Sequence, residues 1–308
     1  MQERRVAVQG VVLVVLAMAV SSVAWEEPSQ DSPQAALNEL LDADRRASTS
    51  AAAASNVVVG LMPMFTDDVV MPVPGNRFAR GKTEIETSLA SNADNLRSRA
   101  HWTPIRGGIS ADGQHGFTFG YMTMRRDDKV EIPLKYLAYW IKQPAGWRVA
   151  VYKRARRADG VVSTTLLPAA LPPRMMPAIR DVSAIAKHRD GVAQAEQAFS
   201  DEAQKIGLGP AFTKWGSEDA VNMGPPTSAA FVLGAAHIGV SVQGDAPPGP
   251  SPVSWSSDTV FVASSGDLGV SIGMIRPHKP APNQPAGFPF FTIWRRATPN
   301  APWRYVAE

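Results

Sequence analysis

The segment Ala43–Met71 reads ADRRASTSAAAASNVVVGLMPMFTDDVVM, and Ala195–Met223 reads AEQAFSDEAQKIGLGPAFTKWGSEDAVNM. The two segments align without a gap at a spacing of 152 residues. Beyond them, ordered glycines and tryptophans continue the alignment with small shifts. The matched pairs are Gly81 with Gly234, Trp102 with Trp255, Gly113 with Gly266, Gly116 with Gly269, Gly120 with Gly273, Trp140 with Trp294 and Trp147 with Trp303. Ordered matches of this kind indicate a duplication, so we predict two copies of one domain.

Each copy has the same order of predicted elements. Apolar residues recur at helical spacing in a long opening helix, over 34–55 in copy 1 and 183–206 in copy 2. The later predicted elements are a second helix (57–65; 208–215), a short strand (69–73; 220–223), a third helix (82–97; 235–242) and four long strands (101–110, 115–125, 131–142 and 147–154; 253–263, 268–277, 287–296 and 303–307). Helices followed by a meander predict an α+β domain with a curved antiparallel sheet on about three N-terminal helices.

The segment between the copies is rich in proline, at Pro168, Pro172, Pro173 and Pro177. Proline fixes φ and lacks an N–H donor, so this stretch is predicted to be a semi-rigid linker. We therefore place a first domain at 34–157, the linker at 158–182 and a second domain at 183–308.

The amino terminus has the pattern of a secretory signal peptide over 1–24. Arg4 and Arg5 precede an apolar run over 6–20, and Ser22-Val23-Ala24 supplies small residues at a cleavage position. An uncleaved membrane anchor is the alternative, although the run is short for a span of about 20 residues. Either way we predict that the domains are exported, to the periplasm or outside the cell.

Composition excludes several kinds of site. The 308 residues contain no cysteine and carry a formal net charge of +3, with 44% hydrophobic and 19% charged residues. Disulfides, thiolate nucleophiles and cysteine-bound zinc are excluded, and the charge is too small to suggest a nucleic-acid partner. The five histidines have no metal-ligand spacing, and phosphate or dinucleotide motifs are absent. We predict no metal, no cofactor and no membrane contact beyond the signal segment.

Several motifs resemble the nuclear transport factor 2-like superfamily, in its SnoaL-like and steroid-isomerase-like branch of mostly unknown function. The motifs are Ala43-Asp44-Arg45, Phe65-Thr66-Asp67-Asp68-Val69, Arg80-Gly81-Lys82, Ser110-Ala111-Asp112-Gly113, Phe117-Thr118-Phe119-Gly120-Tyr121, Tyr136-Leu137-Ala138-Tyr139-Trp140 and Gly146-Trp147-Arg148-Val149. The resemblance covers nearly all of copy 1 and, more loosely, copy 2. It implies two cone-shaped domains with apolar cavities that pair as a domain–domain pseudo-dimer through their sheets. It implies no particular reaction.

Asp44 and Glu196 occupy the same position of the repeat, each on the apolar face of the opening helix. A buried acid without a partner costs several kcal/mol, so each is expected to be hydrogen-bonded or to have a raised pKa. Two interpretations remain open. The acids are pocket carboxylates able to act as a general acid or base, or they are structural acids that the fold requires twice.

Copy 1 has polar groups that copy 2 lacks. Tyr121 and Tyr139 align with Met274 and Ile293, and His101 aligns with Ser254. An unshared phenol or imidazole is suited to contact a ligand or to stabilise an oxyanion. We therefore predict the more polar cavity in copy 1, with Asp44 and Tyr121 as candidate catalytic residues and with Asp44, His101, Tyr121, Tyr139 and Glu196 as pocket residues.

The stretch Gly269–Gly273 matches the G-x-S-x-G pattern of a nucleophile elbow. It lies within alternating strand sequence and aligns with Gly116–Gly120 of copy 1, so we interpret it as strand architecture instead. The leading functional hypothesis is a non-catalytic binding or scaffold protein with a small apolar-ligand pocket. The alternatives are an isomerase, cyclase or hydratase that uses Asp44 with Tyr121 or Tyr139, and an interaction module whose domains are filled by their own side chains.

Overall fold

A computed structural model describes residues 32–280, 282 and 285–308, so the predicted signal peptide lies outside the described residues. The first domain comprises helices α1 (Pro33–Ala53), α2 (Val57–Leu61), α3 (Lys82–Ala90) and α4 (Ala93–Leu96), with strands β1 (Phe65–Val73), β2 (Arg77–Arg80), β3 (Ser98–Ile109), β4 (His115–Arg126), β5 (Glu131–Gln143) and β6 (Gly146–Arg156). The second comprises α5 (Val182–Ile206), α6 (Leu208–Trp215) and α7 (Ala235–Gln243), with β7 (Gly216–Asn222), β8 (Val232–Leu233), β9 (Val253–Val262), β10 (Leu268–Pro277), β11 (Phe288–Arg295) and β12 (Arg304–Ala307). The predicted α+β class with two tandem domains is confirmed.

Each domain has one six-stranded sheet, ordered β2-β1-β6-β5-β4-β3 in the first and β8-β7-β12-β11-β10-β9 in the second. The sheets are mixed, which corrects the purely antiparallel prediction. Strand β1 pairs in parallel with β6, and β7 pairs in parallel with β12. A parallel pair needs a long crossover, and here the intervening helices and the three-strand meander supply it.

The long opening helices begin at side-chain caps. The Ser32 hydroxyl accepts a hydrogen bond from the Ala35 N–H at 3.1 Å, with Pro33 at the first helical position. The Asp181 carboxylate accepts one from the Ser183 N–H at 2.8 Å. Each cap satisfies an N–H that has no partner within its helix. Helix α1 then packs its apolar stripe, which includes Leu37, Leu40 and Leu41, against the inner face of the first sheet.

The G-x-S-x-G stretch lies inside β10, as the strand interpretation predicted. At Gly273 an added Cβ would lie 1.9 Å from the carbonyl oxygen of Ser256 on β9, and at Gly120 it would lie 2.0 Å from that of Thr103 on β3. Both glycines sit beside register shifts between neighbouring strands. The repeated glycines therefore permit close backbone approach at equivalent bulges.

The outer faces of the two sheets share one apolar cluster. Phe117, Phe119 and Tyr139 of the first domain pack with Ile272 and Phe291 of the second, all buried. Each sheet is consequently buried on both faces, with helices on the inner side and the other domain on the outer side. Burial of this kind is the largest favourable contribution to holding the domains together.

Two reciprocal hydrogen-bond pairs join the turns at one end of the interface. The Asp267 carboxylate accepts hydrogen bonds from the Ala111 N–H at 3.1 and 3.0 Å. The Asp112 carboxylate accepts them from the Ser264 hydroxyl at 2.7 Å and the Ser265 N–H at 3.1 Å. Each of the two turns, β3–β4 and β9–β10, thus supplies a carboxylate that accepts hydrogen bonds from the other turn.

The proline-rich segment lies along the edge strand β3. The Leu167 N–H donates to the Ile105 carbonyl at 2.7 Å, and the Ala170 N–H donates to the Gly107 carbonyl at 3.0 Å. An open sheet edge is a template for unwanted pairing, and this segment covers part of it. In the part of the chain that is described, no helix has the length and apolar character needed to cross a bilayer.

His115, which lies beside the domain interface, makes a pH-dependent contribution to the free energy of unfolding. Its Nδ1 lies 2.9 Å from the Tyr139 hydroxyl, and burial lowers its pKa to about 4 although nearby Asp112 raises it. A lowered histidine pKa gives stability that is complete above the unfolded value of 6.5 and is lost as pH falls towards 4. Partial exposure reduces the effect to about 2 kcal/mol.

We therefore expect His115→Gln to remove about 2 kcal/mol of the difference in unfolding free energy between pH 7 and pH 4. Urea titrations of both proteins at the two pH values measure this. An unchanged pH dependence in His115→Gln would mean that His115 is protonated equally easily in the folded and unfolded chains.

Candidate functional site

The duplicated acids hold equivalent tryptophans. The Trp102 Nε1–H donates to Asp44 Oδ1 at 2.6 Å, and the Trp255 Nε1–H donates to Glu196 Oε1 at 2.6 Å. A serine one turn later on each helix accepts from the backbone N–H of the same tryptophan, at 2.7 Å in the first domain and 2.9 Å in the second. The acid and the serine together attach the opening helix to the edge strand, which explains why both recur.

Asp44 is fully buried and both of its oxygens have partners. The Tyr136 hydroxyl donates to Oδ2 at 2.7 Å, opposite the bond from Trp102. Burial raises the pKa of Asp44, while the bonds from Trp102 and Tyr136 oppose the rise. The first domain has a cavity of about 230 Å³ near Met124 and Arg154, and Asp44 is not among the residues that line it. Asp44 therefore acts as a structural acid.

Glu196 has different surroundings because the repeat differs beside it. Phe290 aligns with Tyr136 and carries no hydroxyl. The longer Glu196 side chain instead accepts hydrogen bonds from the Ser271 hydroxyl and, at 3.0 Å, from the Trp294 Nε1–H. Burial raises the pKa of Glu196, and these bonds oppose the rise. Unlike Asp44, Glu196 lines a cavity.

The second-domain cavity has a volume of about 270 Å³. We define it by its lining residues: the apolar Phe199, Leu208, Phe212, Val242, Val253, Trp255, Ile275, Pro289, Phe290 and Phe291, and the polar Lys153, Glu196, Asn222, Thr292 and Glu308. A mostly apolar cavity with a few convergent polar groups is the usual form of a small-molecule site.

Smaller side chains open this cavity. Tyr152 of the first domain is fully buried, and its ring packs 5.6 Å from that of Phe65. With the register of the last strands, Tyr152 aligns with Glu308. Where the first domain has the buried Tyr152 ring, the second domain thus has the carboxyl group of Glu308 beside the cavity.

Glu308 and Lys153 set the electrostatics of the cavity. The Glu308 carboxylate accepts hydrogen bonds from Asn222 at 3.2 Å and from Thr292 at 3.4 Å. Burial and the charge of Glu196 raise the pKa of Glu308, while Lys153 lowers it. Burial lowers the pKa of Lys153, and Glu308 opposes this. The cavity therefore favours the neutral forms of both groups.

Three of the residues predicted to line a pocket, Tyr121, Tyr139 and His101, line neither of the two domain cavities. The Tyr121 ring packs 5.2 Å from Phe231 of the second domain, and Tyr139 is buried in the shared cluster between the sheets. Both lie on the face of the sheet opposite Asp44, so the predicted pair of Asp44 with Tyr121 does not form. His101 is exposed on β3. Among the predicted residues, only Glu196 lines either of the two domain cavities.

Two cavity residues were not predicted. Glu308 is found by extending the repeat from the Trp147–Trp303 match, which places an acid opposite a buried tyrosine. Lys153 has no such signal because it comes from the first domain and reaches the cavity only through domain packing. Within the described residues, no group of three or more histidine or acidic side chains is placed to hold a metal ion.

The element order and the sheet topology define the class of protein: a tandem of two α+β domains, each with a six-stranded mixed sheet on helices. The chain is similar to a ketosteroid isomerase-like protein from Erwinia carotovora, at 20% identity over 41% of this chain and 94% of that chain, with a TM-score of 0.29. It is also similar to an NTF2-like protein of unknown function from Shewanella oneidensis, at 13% identity over 40% and 98%, with a TM-score of 0.30.

A third similar structure is a protein of unknown function with a cystatin-like fold from Nostoc punctiforme, at 14% identity over 39% of this chain and 90% of that chain, with a TM-score of 0.31. No protein-family model and no curated protein sequence matches the chain. The family descriptions of the first two structures are the ones that the sequence motifs resemble.

Proposed function

We propose that this protein binds a small, mainly apolar molecule in the cavity of its second domain. One observation carries the proposal: a cavity of about 270 Å³ is walled by aromatic and aliphatic side chains and contains the carboxyl groups of Glu196 and Glu308. Burial of an apolar ligand supplies about 25 cal/mol for each Å² removed from water, and the polar groups orient it.

The geometry favours binding over the isomerase, cyclase or hydratase alternative. That alternative needs Asp44 and a phenol of Tyr121 or Tyr139 beside one cavity. Asp44 is bonded on the inner face of the sheet, whereas both tyrosines lie on the outer face. Asp44 therefore does not share a cavity with either tyrosine, as this alternative requires.

A pair of matched variants tests the location of the site. Val242 lines the second-domain cavity, and Leu89 aligns with it and lines the first-domain cavity. We expect the neutral fluorophore N-phenyl-1-naphthylamine to bind the unaltered protein. We expect Val242→Trp to weaken that binding at least about tenfold, because the indole occupies the cavity. Fluorescence titration measures both affinities.

Leu89→Trp is the control and is expected to bind the fluorophore as the unaltered protein does. The opposite pattern, in which Leu89→Trp alone loses binding, would move the site to the first domain. Failure of the unaltered protein to bind would contradict the proposed function itself.

We also propose, on the amino-terminal sequence alone, that the protein is exported and cleaved after Ala24. The support is the basic start, the apolar run over 6–20 and the small residues before the cleavage position. Amino-terminal sequencing of protein expressed in a bacterial host is expected to begin at Trp25. Recovery of the uncleaved chain from the cytoplasm would contradict export.

A further inference from the structure

Lys153 is a first-domain residue that lines the second-domain cavity. Its Nζ lies 5.1 Å from the centre of the Phe291 ring. Among residues 32–280, 282 and 285–308, it has no side-chain hydrogen bond and no ion pair within 4.0 Å. A half-buried amine that makes no hydrogen bond is costly, and its position at a cavity makes it available to a ligand.

Lys135, on the neighbouring strand β5, shows how the same fold satisfies a structural lysine. Its Nζ donates to the carbonyls of Met223, Ser228 and Ala230, at 2.7, 3.0 and 2.6 Å. All three N–H donors of the ammonium are used, so Lys135 has no capacity for a further partner. The two lysines are therefore a matched pair, one fully bonded and one facing a cavity.

We propose that Lys153 forms a reversible imine with a small apolar aldehyde or ketone bound in the second-domain cavity. This inference rests on the proposed function and names the chemical class of the ligand. The cavity wall of aromatic and aliphatic side chains holds the body of the ligand. The amine of Lys153 supplies the nucleophile.

The charges of the cavity favour a carbonyl compound over an anion. Glu196 and Glu308 line the same space and burial raises the pKa of both, so a carboxylate ligand would add a further buried negative charge to a cavity that already disfavours carboxylates. Burial also lowers the pKa of Lys153, which increases the share of the neutral amine. A desolvated lysine in an apolar pocket is a known form of activated amine nucleophile.

The step balances with the groups that line the cavity. The Nζ lone pair attacks the carbonyl carbon, and one nitrogen proton passes to the former carbonyl oxygen to give a neutral carbinolamine. The C–O bond of the carbinolamine then breaks as the Glu308 carboxyl gives a proton to the leaving hydroxyl. Water departs, and nitrogen keeps one hydrogen as a cationic iminium. The Glu308 carboxylate left behind balances that charge, and hydrolysis reverses the step.

Reductive trapping tests the imine. The full chain is incubated with 2-naphthaldehyde and sodium cyanoborohydride, and the modified lysines are identified and timed by peptide mass spectrometry. We expect Lys153 to be modified at least about tenfold faster than exposed lysines such as Lys129, and Lys135 to remain unmodified. N-phenyl-1-naphthylamine is expected to slow the modification of Lys153 by competition.

Two variants make the outcome decisive. Lys153→Arg is expected to abolish the fast modification because it removes the amine nucleophile, and Val242→Trp is expected to slow it by blocking the cavity. If Lys153 is modified no faster than exposed lysines while the fluorophore binds, the imine is overturned and the proposed binding function stands. If neither 2-naphthaldehyde nor N-phenyl-1-naphthylamine binds, both the imine and the proposed binding function are overturned.

Discussion

Replacing Asp44 by alanine is expected to lower the free energy of unfolding by about 3 kcal/mol. Asp44 is fully buried and accepts hydrogen bonds from the Trp102 Nε1–H and the Tyr136 hydroxyl. The substitution leaves both donors buried without an acceptor, and each such group costs about 1–3 kcal/mol. The variant no longer buries a carboxylate, and this offsets part of the destabilisation from the unpaired donors. Urea unfolding followed by far-ultraviolet circular dichroism gives the value.

Asp42→Ala is the matched control on the same helix. The Asp42 side chain is 56% exposed and pairs with Arg45 at 2.9 Å. Exposed pairs contribute about 0–1 kcal/mol, so we expect a change within about 0.5 kcal/mol. A loss for Asp44→Ala no larger than that of the control would show that the acid does not hold the helix to the edge strand.

Replacing Lys135 by methionine is expected to lower the free energy of unfolding by about 3 kcal/mol and to loosen the loop that it binds. Lys135 is 1% exposed, and its ammonium bonds three carbonyls of the segment 223–230 in the other domain. Methionine keeps most of the volume of the side chain but donates no hydrogen bond. Urea unfolding and hydrogen exchange of the segment 223–230 measure the two effects.

Lys153→Met is the matched control for Lys135→Met. Because Lys153 has no hydrogen-bond partner among the described residues, the change removes a poorly solvated amine and leaves no described acceptor unpaired. The change also removes the positive charge that favours the Glu308 carboxylate, so we expect a loss of unfolding free energy of no more than about 1 kcal/mol, smaller than that of Lys135→Met. Equal destabilisation by both variants would contradict the contrast drawn between the two lysines.

Much of the fold follows from local pattern. Helical spacing of apolar residues predicted α1 and α5, and turn residues at Gly113 and Gly266 predicted the hairpins that the structure shows. The short edge strands β2 and β8 were missed because two to four residues carry no periodic signal. The parallel pairing of β1 with β6 was missed because pairing across a long crossover leaves no mark on either strand.

The candidate site was harder to predict. Alternation along β4 and β5 separates two faces, but it does not say which face is inside when both are apolar. Tyr121 and Tyr139 were assigned to the wrong face for this reason, since the second domain buries the outer side. A tyrosine present in copy 1 and absent from copy 2 suggests ligand contact. In the structure, Tyr121 and Tyr139 differ from their counterparts because they pack in the interface between the domains.

The sequence by itself determined the duplication, the α+β class and the two buried acids, because each depends on residue spacing along one chain. Tertiary structure alone decided what those acids do. Asp44 is enclosed by Tyr136 and Trp102, whereas Glu196 borders a cavity that also contains Glu308 and a lysine from the other domain. That difference arises from packing between segments that are distant in the sequence. Beside Glu196, a phenylalanine replaces the tyrosine that bonds Asp44, and the first domain contributes Lys153 to the surrounding space.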